Sequence, residues 1–204
     1  MIQKRFLTLI GLFFLFSSPV DAAESNKFIT VVNPVRISKY NPDPAASLTA
    51  QYSVISSYHL PATWLFTYDA LTNPKLINVA QKMDPRQEKG IFLEVTPAFA
   101  ESAGVTYHQS GSWHFASSVF LSGYTQDERL KLINTVFEQF KSRFGFYPAS
   151  VGSWWTDSFS LEFMQRKYGL VANLGVADQY STDNYQVWGT YWSTPYYPSI
   201  IHAG

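Results

Sequence analysis

The chain has 204 residues, with 15 basic and 15 acidic side chains and no formal net charge. That balance argues against a nucleic-acid partner, since phosphate binding needs a basic surplus to release counterions. There is no cysteine, which excludes thiolate catalysis and structural zinc–thiolate sites.

Lys4 and Arg5 precede an apolar stretch at residues 6–16, and Ser17, Ser18 and Pro19 then lead to Val20 and Ala22, short side chains that suit signal peptidase. Residues 1–22 therefore read as a secretory signal peptide, with a mature chain starting at Ala23 that is secreted or periplasmic. An apolar run of about 11 residues is too short to span a bilayer, which takes roughly 20. No membrane partner is expected for the mature form. Residues 23–204 fit a single domain by the usual prior of about 100–200 residues per domain.

Residues 28–32 (FITVV) read as a strand closed by Asn33 and Pro34. Residues 40–44 read as a loop, and residues 46–58 as a helix with Leu48, Tyr52 and Ile55 on one stripe. A second strand is expected at residues 62–67 and a helix at 74–83, stopped by Asp84 and Pro85. The third strand, residues 90–95 (GIFLEV), is ended by Thr96 and Pro97. Residues 105–124 have no clear period and read as a long loop. The clearest helix covers residues 125–144: Thr125 and Glu128 form a capping box, Leu130, Ile133, Phe137 and Phe140 form a stripe, and Gly145 ends it. A strand at 150–155, a helix at 158–168 stopped by Gly169, and a strand at 170–175 follow. The tail from residue 177 is rich in Tyr and Trp and has no period.

Strands apolar on both faces, alternating with helices, imply an α/β fold with a parallel sheet. Five strands fall short of the roughly eight of a closed parallel barrel. The sequence therefore implies an open sheet or an incomplete barrel, and the tail's lack of a closing element favours truncation of a longer protein.

Residues 58–67 (YHLPATWLFT) resemble the second strand of the polysaccharide deacetylases, and residues 144–157 (FGFYPASVGSWWTD) resemble a later strand of that family that follows a long helix. The resemblance covers residues 28–175 and implies the glycoside hydrolase/deacetylase superfamily, a seven-stranded (β/α) barrel acting on polysaccharide or oligosaccharide. The family's metal-binding acids and histidines are missing from the corresponding strands. Asn33, Pro34 and Arg36 stand at the first and Glu94 at the third. The family's metal site is therefore not carried over, and no metal or cofactor is expected. His108 and His114 are six apart, a spacing that matches no ligand pattern.

Active sites of parallel barrels lie at the C-terminal strand ends. Asn33, Arg36, Asp69, Glu94 and Asp157 fall there. Glu94 sits among Ile91, Phe92, Leu93 and Val95, where a carboxylate is costly unless paired or functional. It is read as catalytic, against a pair with Arg36 or an outward-facing place at an edge. Asp157 follows Trp154 and Trp155, so it is read as the second catalytic carboxylate, against a helix N-cap. Two such acids would cleave a glycosidic bond. Asn33, Arg36, Trp154, Trp155, Asp183 and Trp188 are the expected sugar contacts, their rings offering stacking faces. The alternatives are a non-catalytic carbohydrate-binding protein on the same fold and a deacetylase with rearranged ligands.

Overall fold

The computed structural model describes residues 29–111 and 115–175, together with two short strands at Asp178–Gln179 and Tyr185–Gln186. The expected signal peptide, His114, Asp183 and Trp188 lie outside the described residues. None of the described helices is long and apolar enough to cross a membrane.

Five strands form one parallel sheet in chain order: β1 (Val32–Val35), β2 (Ala62–Phe66), β3 (Gln87–Phe92), β4 (Ser150–Ser153) and β5 (Ala172–Gly175). Because each strand adds to the same side of the last, the sheet never doubles back, and it curls into a half-barrel. Right-handed crossovers then place the connecting helices on one face. These are α1 (Pro44–Ser57), α2 (Tyr68–Thr72), α3 (Pro74–Gln81), α4 (Pro97–Ser102), α5 (Ala116–Val119), α6 (Gln126–Phe144) and α7 (Ser158–Tyr168). The two short strands, β6 and β7, pair antiparallel.

Strand alternation divides the buried residues into two sets. Trp64, Phe66, Ile91, Leu93 and Val151 join the helix-side core with Leu76, Phe99, Phe137 and Phe140. Leu65 and Phe92 are also buried but point to the concave side. There they pack around Gly90 and Gly152. Trp64 is fully buried, and its indole N–H donates to Gln87 Oε1 at 3.0 Å. Gln87 in turn donates to the Leu60 carbonyl at 2.9 Å, so this polar pair is satisfied inside the core.

The helix boundaries follow their caps. Asp43 accepts from the Ala46 N–H, starting α1 at Pro44, two residues before the expected start. Thr125 and Glu128 form the full capping box of α6, and Gly145 ends that helix at φ +83°, a left-handed conformation that glycine adopts without strain. Leu130 on the expected stripe is only half-buried, while Leu132 and Val136 complete the buried face.

Four sequence expectations are corrected. β1 begins at Val32, so Asn33 and Pro34 lie inside the strand. Pro34 is tolerated because the carbonyls of Val31 and Val35 accept from the N–H groups of Thr63 in β2 and of Thr67 just after it, which turns the Pro34 nitrogen away from that neighbour. β3 ends at Phe92, leaving Glu94 beyond the strand. β4 ends at Ser153, leaving Trp154 and Trp155 in the following turn. Residues 97–102, after the third strand, form the helix α4, and residues 116–119 of the expected long loop form α5.

Gly90 marks a tight point of the concave face. A Cβ there would stand 2.6 Å from Leu65 Cδ2 and 2.6 Å from the Ser150 carbonyl oxygen, and that backbone oxygen cannot swing away. Gly90→Ala is expected to lower stability by about 1–3 kcal/mol through overpacking. Urea unfolding checks this, and an unchanged midpoint would show that the sheet relaxes freely.

Candidate functional site

The C-terminal strand ends form the mouth of the curl. Arg36 follows β1 directly, and its guanidinium reaches past β2 to Glu94, beyond β3. Nη2 donates to Glu94 Oε1 at 2.8 Å, and Nε lies 2.8 Å from Oε2. That second contact is an ion-pair distance with the N–H not aimed at the oxygen, so Oε2 is buried without a hydrogen-bond donor among the described residues. Glu94 is only 8 % exposed. A carboxylate this buried is tolerated because a guanidinium faces it. The Arg36 pairing anticipated from sequence is thus present, although the partner strands are not adjacent.

Trp154 forms the wall behind this pair. Its ring meets Phe92 edge-on at 5.6 Å, which fixes it on the concave side, and the Arg36 guanidinium lies 5.4 Å from the indole centroid. The indole N–H groups of Trp154 and Trp155 are buried with no acceptor among the described residues. Ser153 holds the turn that carries them: its hydroxyl donates to the Leu93 carbonyl at 3.0 Å and accepts from the Trp155 N–H at 3.3 Å.

Two further groups share the mouth. Asp69 stands in the first turn of α2, where Oδ1 accepts from the Thr96 hydroxyl at 3.0 Å. Burial pushes its carboxyl above the ordinary range, Thr96 pulls against that, and the charge of Glu94 adds to the rise. Burial also raises the Tyr107 phenol, opposed by a bond with Ser118 and reinforced by Glu94. Asp69 was visible in the sequence as a residue after strand two. Tyr107 was not, because it belongs to a segment without a period, and only the fold brings it near Glu94.

Asp157 has a different place. Its Oδ1 accepts from the Ser160 N–H at 2.9 Å, and Oδ2 accepts from the Ser160 hydroxyl at 2.7 Å. Arg129 of α6 donates to Oδ1 at 3.1 Å. Asp157 is therefore the N-cap of α7 and ties two helices together. The structure supports its N-cap alternative, since both oxygens are engaged with the helix layer. Asn33 also departs from expectation. It is paired in register with Trp64, on the helix-facing side, whereas Arg36 works on the concave side.

His108 stacks on Tyr124 at 4.3 Å, and its Nδ1 lies 3.2 Å from the Ser117 carbonyl. Among the described residues, no group of three His, Cys, Asp or Glu side chains converges as a metal site. Comparison with known proteins gives no match to a family model, a curated protein or a solved structure.

Two outcomes test this geometry. Asp157→Ala is expected to cost about 1–2 kcal/mol for the cap alone, with the Arg129 pair lost in addition. A melting temperature equal to wild type would remove Asp157 from the framework. Asp69 gives a pH signature. Below 3.8 it is protonated in both states. As pH rises, the unfolded chain ionises first, so this group's contribution to stability falls until the raised folded value is passed. The unfolding free energy of wild type minus that of Asp69→Asn should therefore decline with pH across this window. A difference that grows would mean the fold favours ionised Asp69.

Proposed function

We propose that this chain is an exported carbohydrate-active protein, secreted or periplasmic, that hydrolyses glycosidic bonds at the mouth of the curled sheet, within a seven-stranded barrel of the deacetylase-like type. The observation that carries the reading is the pairing of two unlike carboxyl groups at one mouth. Glu94 is charge-paired with Arg36 and has one buried oxygen without a hydrogen-bond donor among the described residues, while burial favours the neutral form of Asp69. Acid and base roles separate where environments differ in this way. Asp69 gives its proton to the leaving glycosidic oxygen as the bond to the anomeric carbon breaks. Water adds to that carbon, and Glu94 takes the water's proton. Trp154, half-buried at the mouth, offers a face for a pyranose ring. Asp69 thus takes the role that the sequence suggested for Asp157.

The test is a panel of soluble polysaccharides and oligosaccharides, read for reducing ends and for affinity. Wild type should cleave at least one of them. Glu94→Gln and Asp69→Asn should each lower turnover by about 10²–10⁴-fold, with affinity within a few-fold of wild type. Binding without cleavage by wild type would replace this reading with a non-catalytic carbohydrate-binding protein. Neither binding nor cleavage would overturn both.

A further inference from the structure

We propose that Thr96 is a positioning residue for Asp69, directing its exchangeable proton to Oδ2. The argument rests on counting hydrogens. The Thr96 hydroxyl has one proton, and as N-cap of α4 its oxygen accepts from the Phe99 N–H at 3.2 Å. The hydroxyl proton is thereby turned to Asp69 Oδ1, 3.0 Å away. An oxygen that accepts this bond is the poorer site for a proton, so the acid proton resides on Oδ2. One residue thus starts α4 and orients the carboxyl of α2, linking the exits of β2 and β3.

Among the described residues, little else could do the same. Glu94, from the β3 exit, is the charged group whose field reaches Asp69. On α6, Arg143 donates to the Leu71 carbonyl instead. Thr96 favours ionised Asp69 against the effects of burial and of Glu94. Removing its hydroxyl should therefore make Asp69 a weaker acid.

The inference rests on the reading of Asp69 as the acid, but its first readout does not depend on turnover. In the full chain, carbon-13 NMR titration of the Asp69 carboxyl is compared in wild type, Thr96→Val, Thr96→Gly and Thr96→Ser. Glycine is included because it keeps most of an N-cap's stability if valine prevents folding. Valine and glycine should move the titration upward, and serine should restore it. Thr125→Val, which removes the α6 cap, should leave it in place. In an active enzyme the basic limb of the kcat/KM profile should move upward with the same variants. An unmoved Asp69 titration in Thr96→Val or Thr96→Gly would overturn the inference. A moved titration with no glycan cleavage would support the positioning and overturn only the hydrolase reading.

Discussion

The unequal size of side chains on the two faces of the sheet governs this structure. On the helix side stand Trp64, Phe66, Ile91 and Leu93, backed by Phe99, Phe137 and Phe140. On the concave side the corresponding strands carry Gly90, Gly152 and Ser150 around Leu65 and Phe92. A sheet loaded in this way bends toward its thinner face, because close packing leaves no void on either side. The sequential strand order adds to the effect, since every crossover brings its helix to the same face. Bending shortens the distance between strands that are not neighbours. The reach of Arg36 from β1 to Glu94 past β2 depends on that curl.

The Arg36–Glu94 pair is better understood as positioning than as a source of stability. Bringing two charges out of water costs several kcal/mol per ion in general, and their attraction only roughly returns it. The pair fixes an acid and a guanidinium against Trp154, with one carboxylate oxygen short of a hydrogen-bond donor among the described residues. It sits at the strand ends, where a barrel places its chemistry.

Local signals in the sequence were legible wherever one residue decides an element. Thr125 with Glu128, Gly145 and Gly169 mark the ends of α6 and α7 without reference to the rest of the fold. The parallel sheet was legible from apolar runs alternating with helices. Strand ends were not, because an apolar run continues past the last ladder bond: 90–95 is buried throughout, but β3 stops at Phe92. Pro34 suggested a strand end and instead lies within β1, since the outward side of the strand needs no donor there. Thr96 and Pro97 were read as a strand terminator, but they are the N-cap and first residue of α4. Within the site, Glu94 was legible from its composition, while the proximity of Asp69 and Tyr107 depends on burial and on contacts distant in sequence.

The rim also shows why carboxylates at strand ends are ambiguous in sequence. In a (β/α) unit the residue after a strand is often the residue before a helix, so one position serves either as cap or as site. Counting donors separates the two uses. Asp157 receives an N–H, a hydroxyl and a guanidinium, all from the helix layer, and its oxygens are committed to structure. Thr67 and Thr96 cap α2 and α4 in the same way with hydroxyls, and that frees the acids beside them from capping. Among the described residues, Asp69 keeps a single hydroxyl donor, on one oxygen, and Glu94 keeps only Arg36. The caps supplied by threonine therefore leave the mouth with acids whose lone pairs are not used up by the fold, and such groups remain able to meet a ligand.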